Sequence, residues 1–540
     1  MADSELAREI RRRRTFAIIS HPDAGKTTLT EKVLLYGGAI ELAGAVKAKR
    51  GRASAVSDWM DMERERGISI TSSVLQFPYH GFEMNLLDTP GHADFSEDTY
   101  RTLHAADSAV MLLDCAKGVE PQTKKLFRVC KQRKMPIFTF VNKMDRAGRD
   151  PFDLVGEVEN VLGIGVVPIT WPVYRGHVFR GIYHRLLRRV YVFEAAKSAS
   201  GAEMAAMQVT GIDDPRLEEQ LDHDGYKRLR DEAELLEAAG DTFDTARFRG
   251  GEVSPMFFGS AMNNFGLAPF LDTFCELAPC PTARDSSAGI IDPVREPFSG
   301  FILKIQANMD KAHRDRVAFM RICSGKFERG MKVLHVRTGK QIRLANPTTF
   351  LAQERTIVDA AYAGDVIGTY DPGIFEIGDT LTAGKAFTFE EIPSFAPEHF
   401  ARVVMTDPLR RKQLKKGLEQ LAQEGTIQLY RPVAGREGDT ILGAVGRLQL
   451  EVVSYRLKNE YDAEVRLEPM PVEFARWLTR KDGGEVDLAA FARENVGLPA
   501  IDIRGRGVAL FAGEWQVNSA KRCLPQLIFA ETARGVLQRA

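Results

Sequence analysis

Short apolar runs alternate with amphipathic segments over the first half of the chain. An apolar run at residues 15–20 ends in a polar loop, and a segment of helical period follows at 27–36. The same pattern predicts further strands at 85–87, 108–115, 136–141 and 255–258, and further helices at 96–105, 121–133 and 267–277. Alternating strands and helices predict a mostly parallel sheet covered on both faces, which is an α/β fold.

Three changes of pattern divide the chain further. Residues 171–251 interrupt the alternation with a polar–apolar repeat and a charged helical stretch at 215–239, which we interpret as an insertion. Short strands between glycine turns predict a small β-barrel in the next region, and helices mixed with strands predict an α+β region after it. We expect a multidomain protein without internal repeats, with domains at 1–283, 284–393 and 394–540.

Composition and charge exclude several classes of protein. Hydrophobic residues make up 44% and charged residues 27% of the chain, as in globular proteins. The apolar runs are too short for a membrane span, and no secretory signal precedes residue 20, so a cytoplasmic protein without membrane contact is expected. The 73 basic residues equal the 73 acidic ones, so any nucleic-acid contact must come from local patches. The six cysteines include no CxxC pair, which favours reduced thiols over structural zinc.

The loop between the first predicted strand and helix has the pattern of a phosphate-binding loop. Its backbone amides can hold a polyphosphate, Lys26 can reach the β- and γ-phosphates, and the Thr27 hydroxyl can bind Mg²⁺. Ser20 stands where the strict pattern has its first glycine, and an ordinary helix start is the alternative interpretation. The predicted loop comprises Ser20, His21, Pro22, Asp23, Ala24, Gly25, Lys26, Thr27 and Thr28.

A second polar turn follows the predicted strand at 85–87. The Asp88 carboxylate can approach the same Mg²⁺, and the Gly91 amide can meet the γ-phosphate. Read alone, the segment is also compatible with a simple turn. The turn comprises Asp88, Thr89, Pro90, Gly91 and His92.

Two later strand ends carry residues suited to a purine base. A carboxylate at Asp145 can accept hydrogen bonds from both N1–H and the exocyclic amine of guanine, a donor pair that adenine lacks. Backbone amides at Ser260 and Ala261 can meet the guanine carbonyl oxygen. Open α/β sheets bind ligands at the carboxyl ends of their strands, so GTP or GDP with Mg²⁺ is the expected ligand. The first of these segments comprises Asn142, Lys143, Met144 and Asp145.

These segments, in this order, resemble the translation-factor GTPases. Residues 61–71 (DMERERGISIT) are similar to the first switch of that family. The family has a Mg²⁺-binding threonine in this segment, and this chain has Ser69 at the corresponding position. His92 matches the family's catalytic histidine, which positions the attacking water once the large ribosomal subunit orders it. Arg64 and Arg66 fit either an internal arginine finger or the docking of the switch.

The resemblance is strongest to the family of bacterial peptide-chain release factor three. The motifs ISHPDAGKTT, SDWMDMERERGISIT, PITWP and IQANMDKAHRDRVAFMR carry it, and it runs nearly end to end. It implies a P-loop GTPase domain with an insertion, then a β-barrel, then an α+β domain. It also implies a monomeric, ribosome-dependent termination GTPase that hydrolyses GTP to GDP and phosphate. Its implied partners are the 70S ribosome, through large-subunit RNA near the GTPase site, and class-one release factors, which it removes without reading a stop codon.

Other interpretations stay open at the level of the sequence. The chain could be a translocase or a ribosome-protection GTPase, although elongation factor G would need about two further domains after Ala540. It could also be a small-molecule kinase with a P-loop. The basic residues at 11–14 and 410–416 fit either contacts with RNA phosphates or a solvated helix face.

Overall fold

The computed structural model describes residues 4–38, 72–193, 207–239, 242–307, 316–344, 347–351, 354–390, 392, 395–433 and 440–532. The helices are α1 (Glu5–Arg11), α2 (Lys26–Tyr36), α3 (Ser96–Ala105), α4 (Pro121–Gln132), α5 (Pro151–Leu162), α6 (Arg216–Leu221), α7 (His223–Ala239), α8 (Thr245–Arg249), α9 (Leu267–Leu277), α10 (Arg411–Gln423), α11 (Arg447–Tyr461), α12 (Leu488–Arg493) and α13 (Glu514–Cys523). The strands up to the second region are β1 (Arg13–Ser20), β2 (Ser73–Tyr79), β3 (Phe82–Asp88), β4 (Ser108–Asp114), β5 (Ile137–Asn142), β6 (Gly165–Pro168), β7 (Thr170–Arg175), β8 (Val178–His184), β9 (Arg189–Phe193), β10 (Met207–Gly211), β11 (Val253–Phe258), β12 (Arg284–Ser286) and β13 (Gly289–Ile291). The later strands are β14 (Ser299–Ala307), β15 (Arg316–Ser324), β16 (Lys326–Glu328), β17 (Lys332–His335), β18 (Lys340–Arg343), β19 (Thr348–Leu351), β20 (Glu354–Ile357), β21 (Ala360–Tyr362), β22 (Val366–Tyr370), β23 (Thr380–Thr382), β24 (His399–Met405), β25 (Gln428–Pro432), β26 (Ile441–Ala444), β27 (Val465–Pro469), β28 (Phe474–Arg480), β29 (Leu498–Asp502), β30 (Gly507–Phe511) and β31 (Leu527–Ala530).

The first region is built on a seven-stranded sheet with the order β2-β3-β1-β4-β5-β11-β6. Neighbouring strands are parallel except for β2, which pairs antiparallel with β3. Strands β1, β4 and β5 are buried along their whole length, as parallel strands between two helical layers must be. The predicted α/β fold is confirmed, and the predicted strands and helices all lie where the hydrophobic pattern indicated. The pattern analysis missed both edge strands, β2 and β6, and the helices α1 and α5.

The chain between β6 and β11 forms a separate antiparallel sheet with the order β10-β9-β8-β7. Trp171 of this sheet is fully buried, and its indole nitrogen donates to Glu232 of α7 at 2.7 Å. The predicted helical stretch at 215–239 is confirmed, but Asp222 adopts a φ of 64° and divides it into α6 and α7. A left-handed residue ends a helix whatever the hydrophobic pattern around it. The outer bounds of the insertion stay a prediction.

The second region is a curled antiparallel half-barrel. Its main sheet has eight strands in the order β18-β17-β23-β14-β15-β22-β19-β20. Strands β14 and β15 are buried throughout and pair with each other along their length. Phe298, Ile302, Met320 and Leu381 lie in the core enclosed by the sheet. The predicted β domain is therefore confirmed.

The last region is an eight-stranded antiparallel sheet with the order β27-β24-β26-β25-β29-β30-β28-β31. Its elements follow the order βαββαβ from β24 to β27 and the same order again from β28 to β31. Strands β25 and β29 pair and join the two units into one sheet. The α+β fold is confirmed, but the expectation of no repeat misses this duplication, because the two units share topology rather than a visible sequence pattern. The domain boundaries after residues 283 and 393 stay predictions.

Buried ion pairs connect the first sheet to the half-barrel. Arg321 of β15 donates to Asp107 at 2.6 Å, and both side chains are 1% exposed. Arg13 of β1 donates to Asp365 at 2.8 Å. Arg14 instead makes a contact within the first region, where it donates to the Cys275 carbonyl of α9 at 2.8 Å. Arg13 and Arg14 are buried in this way, so neither RNA contact nor a solvated face describes these two members of the basic run at 11–14.

Glu424, at the end of α10, connects three regions. Its carboxylate accepts from Arg456 of α11 at 2.5 Å and from the Ala307 amide of the half-barrel at 2.8 Å. Its carbonyl accepts from Arg101 of α3 at 3.3 Å. Arg456 also donates to Glu460 at 2.7 Å. Burial lowers the pKa of Arg456, but the two carboxylates outweigh burial and hold the pKa well above its ordinary value.

Over the part of the chain that the structure describes, no helix is long and apolar enough to cross a membrane. All six cysteines are free thiols, of which only Cys523 is exposed.

Candidate active site

The loop between β1 and α2 is tightly wound. Asp23 has a φ of 67° and Gly25 a φ of 99°, so the backbone turns twice through the left-handed region. A Cβ atom at Gly25 would lie 2.4 Å from the Asn142 side-chain nitrogen. Only glycine fits this position, because any larger residue would be strained and would also displace Asn142.

The donors of this loop suit a polyphosphate. Helix α2 starts without a side-chain cap, so its first amides are available to an anion. The Ser20 hydroxyl is buried and has no hydrogen-bond partner. A buried unpaired hydroxyl is costly, and a phosphate oxygen is the kind of acceptor that would satisfy it. The residues present therefore fit a nucleotide phosphate chain.

Lys26 and Asp88 meet at the start of the helix. The lysine amine lies 2.7 Å from the Asp88 carboxylate, and both side chains are buried. Thr30 donates to the same carboxylate oxygen at 3.4 Å. Strands β1 and β3 bring the two residues together, since Ile18 and Asp88 are paired in the parallel register. A cation for phosphate and a carboxylate for Mg²⁺ therefore stand side by side, which fits a nucleotide bound with its metal.

Asn142 connects the phosphate loop to the turn after β11. Its side-chain nitrogen donates to the Ala24 carbonyl at 2.9 Å, and its side-chain oxygen accepts from the Ala261 amide at 2.9 Å. The Met144 amide donates to the Gly259 carbonyl at 3.1 Å, while the Met144 side chain lies in the core. Three loops that are far apart in sequence thus form one edge of the site.

Lys143 crosses this edge from the base side. Its backbone has a φ of 66°, and its amine donates to the Asp23 carbonyl at 2.5 Å. The amine also lies 2.9 Å from the Asp114 carboxylate at the end of β4. Burial raises the pKa of Asp114, but the hydrogen bonds from Lys143 and from the Ala116 amide together hold the pKa below its ordinary value. The carboxylate therefore stays charged and anchors the lysine.

Asp145 presents a carboxylate to solvent beside the second turn. The Ser260 hydroxyl donates to one of its oxygens at 2.5 Å, which fixes the orientation of the carboxylate. Ser260 itself is buried, whereas Asp145 is exposed. An oriented and accessible carboxylate can accept a pair of hydrogen bonds from one ligand edge, as guanine recognition requires.

Three family models match successive parts of the chain. They are the elongation factor Tu GTP binding domain at residues 11–280, elongation factor G domain 2 at 297–384, and the C-terminal domain of class II release factor RF3 at 389–521. Peptide chain release factor 3 of Symbiobacterium thermophilum is 55% identical over 98% of this chain and 99% of that protein. The protein of the same name from Gloeobacter violaceus is 51% identical over 99% of this chain and its own full length.

The chain belongs to the peptide chain release factor 3 family. It is accordingly a GTPase of translation termination, which binds guanine nucleotide and hydrolyses GTP. A crystal structure of a protein from Thermus thermophilus covers 87% of this chain and 70% of its own, with a TM-score of 0.67 and 22% identity. That similarity concerns the fold alone.

The polar turn at 88–92 of this release factor 3 family member is anchored at its start. The Thr89 hydroxyl donates to the Ile18 carbonyl at 2.6 Å, and Pro90 is buried. His92 follows with 42% of its side chain exposed. The Thr89 side chain is thus committed to strand β1, which leaves only its backbone for the nucleotide that we predicted it to bind.

The predicted first switch lies outside the described residues. This applies to Ser69 and to Arg64 and Arg66, so their predicted roles stay predictions. The remaining predicted segments converge at the carboxyl ends of β1, β3, β5 and β11.

Sequence reasoning missed two acidic residues of this edge. Asp114 holds Lys143, and Glu120 lies 3.4 Å from the His21 side chain of the phosphate loop. Asp114 ends a buried strand in the same way as Asp88 does, and that position was the available signal. Nothing in the pattern singled out Glu120.

Proposed function

We propose that the protein acts on the ribosome after peptide release, where it promotes dissociation of a class-one release factor and hydrolyses GTP to GDP and phosphate. Nucleotide binding and hydrolysis are supported chiefly by Asn142, whose side chain joins the phosphate loop at Ala24 to the turn at Ala261. The match to the C-terminal domain of class II release factors supports the termination part. The protein would read no stop codon and would work as a cytoplasmic monomer.

The geometry of the edge supports the following proposed residue roles, apart from that of Ser69, which lies outside the described residues. Lys26, Ser20 and the amides of residues 21 and 23–28 would bind the phosphates, with Gly91 at the γ-phosphate. Thr27, Asp88 and Ser69 would hold Mg²⁺, which neutralises charge on the phosphate oxygens when bound. Asp145 would accept from guanine beside Lys143. The Ser260 and Ala261 amides, which we predicted to meet the guanine carbonyl oxygen, donate instead to the Phe265 carbonyl and to the Asn142 side chain, so contact with guanine would require them to change partner. His92 would orient the attacking water.

Basic residues on α10 are the proposed contacts with ribosomal RNA. Lys412, Lys415 and Lys416 are exposed on the side opposite the buried Leu414 and Leu418. The first turn of the helix contains no acidic residue, although the helix dipole favours acids there. Arg410 is instead paired with Asp462 at 2.7 Å. An unfavourable placement of positive charge is consistent with a role in binding phosphates.

Base recognition can be tested at Asp145. Asp145→Asn is expected to weaken GTP binding at least tenfold and to improve binding of xanthosine triphosphate, because an amide can donate to the carbonyl that replaces the guanine amine. Losing contacts to a charged acceptor costs about 1.5 to 3 kcal/mol, which corresponds to this range. Equilibrium titration with fluorescent nucleotides measures both affinities. Asp213→Asn, at a side chain that is 81% exposed on the insertion, is the matched control. Equal GTP binding by wild type and Asp145→Asn would remove Asp145 from the base site.

The termination role can be tested by displacement of a labelled class-one release factor from 70S ribosomes after peptide release. Displacement is expected with GTP and the wild-type protein. The Asp145→Asn protein is expected to displace the factor with xanthosine triphosphate and poorly with GTP, which ties displacement to this site. Failure of both proteins to displace the factor would reject the termination role. Transfer of the γ-phosphate to a small molecule would favour the kinase alternative.

A further inference from the structure

The turn that follows His92 packs against the last region of the protein. Residues Ala93–Phe95 form one turn of 3-10 helix. Phe95 is 4% exposed and packs in one cluster with Val452 of α11, which is 1% exposed. Leu448 and Tyr455 of the same helix surround this pair. The turn is therefore held against α11 by apolar packing.

Asp94 adds a polar contact between the turn and α11. One carboxylate oxygen accepts from the Leu448 amide at 2.8 Å, in the first turn of α11. Gly446, at the N-cap position, has no side chain that could cap the helix. A Cβ atom at Gly446 would lie 2.1 Å from the Asp94 Cγ atom, so the carboxylate occupies that space. Asp94 thus supplies the cap that α11 lacks.

The same residue also contacts His92. The Asp94 backbone amide donates to His92 Nδ1 at 3.2 Å, and the other Asp94 carboxylate oxygen lies 3.4 Å from that nitrogen. The imidazole and the Phe95 ring are arranged edge to face, with ring centroids 6.3 Å apart. These contacts hold the Nδ1 side of the ring, and Nε2 lies on the opposite side. The position of His92 therefore depends on a turn that is held by α11.

We propose that Asp94 is a positioning residue for His92, and that the last region of the protein takes part in GTP hydrolysis through this contact. The inference rests on the proposed role of His92 in orienting water. A displacement of about 1 Å in a reacting group can cost about 100-fold in rate. Loss of the contact between Asp94 and α11 is therefore expected to slow hydrolysis without weakening nucleotide binding, because Asp94 lies outside the phosphate loop.

The contact can be broken from either side. Asp94→Ala removes the cap, and Gly446→Ala displaces the carboxylate from the opposite region. Each is expected to lower the single-turnover rate at saturating ribosomes about tenfold or more, while the GTP Kd and the half-saturating ribosome concentration change less than twofold. The double variant is expected to be no slower than the slower single variant, since both remove one contact. Asp94→Asn is expected to stay within about threefold of wild type, because asparagine caps helices as well as aspartate.

Two further variants separate the possible causes. Gly417→Ala puts a Cβ atom 2.7 Å from the Leu457 side chain, so it disturbs the packing of α10 on α11 without reaching Asp94. Its saturated rate is expected to match wild type. His92→Ala tests the underlying role. If His92→Ala slows hydrolysis but Asp94→Ala does not, or if the two single effects add, the positioning role is wrong. If His92→Ala leaves the rate unchanged, the proposed role of His92 fails instead. Should Gly446→Ala not fold, the difference between Asp94→Ala and Asp94→Asn decides.

Discussion

His92→Ala is expected to reduce ribosome-stimulated GTP hydrolysis by about 1,000-fold or more, with GTP binding unchanged. Active sites of this reaction class that a partner completes gain about 1,000- to 100,000-fold in rate. The free protein is expected to turn over GTP slowly, because the partner that completes the site is absent. The imidazole would act on the attacking water only once ribosomal RNA has completed the site around it.

Single-turnover hydrolysis with and without purified 70S ribosomes measures this effect. His177→Ala, an exposed histidine on the insertion, is the matched control and is expected to behave as wild type. Fast hydrolysis by the free protein that ribosomes do not accelerate would contradict the ribosome-dependent mechanism. If ribosomes stimulated GTP hydrolysis by His92→Ala as strongly as by wild type, the proposed role of His92 would be wrong, but the ribosome-dependent mechanism would stand.

Arg456→Met is expected to lower the free energy of unfolding by about 3 to 5 kcal/mol, the usual cost of leaving a buried charge without its partner. The arginine side chain is 4% exposed and contacts Glu424 at 2.5 Å and Glu460 at 2.7 Å. Without it, two neighbouring carboxylates would face each other in a nearly dry environment. Urea denaturation followed by circular dichroism measures the change.

Arg466→Met is the control for the Arg456 prediction. Arg466 also pairs with a glutamate at 2.5 Å, but its side chain is 69% exposed. Surface pairs of this kind contribute about 1 kcal/mol or less. The double variant Arg456→Met, Glu424→Gln is expected to recover part of the lost stability, since it removes one of the unpaired charges. Equal losses for Arg456→Met and Arg466→Met would show that the buried pair has no special weight.

Much of the fold could be predicted because its signals are local. The run before Ser20 and the repeat after Thr27 mark a strand and a helix from neighbouring residues alone. Local pattern predicted the helical stretch at 215–239 but not its break at Asp222, since one left-handed residue breaks a helix without changing the charge pattern around it. The duplicated βαββαβ topology was equally invisible, because it depends on strand order and not on any repeated motif.

The site was predictable in its parts and not in its connections. Lys26, Asp88 and Asp145 each follow or end a buried strand, so the chemistry of each position could be read separately. The contacts that join them cross long separations, as from Asn142 to Ala24 and from Lys143 to Asp114. Such contacts depend on the order of strands in the sheet, which hydrophobic period does not specify. Arg13 shows the same limit, because its partner Asp365 lies in another region.

The cap on α11 has a consequence for how the chain is cut into fragments. The acceptor for the Leu448 amide stands 354 positions earlier in the sequence, in the region that binds the nucleotide. A fragment that starts after residue 394 would keep every strand of the last sheet and yet leave the first turn of this helix to fray. Its amide hydrogens would exchange with solvent faster there than in the intact protein. The last region therefore has a complete sheet of its own, whereas the capping of this helix depends on the region that binds the nucleotide.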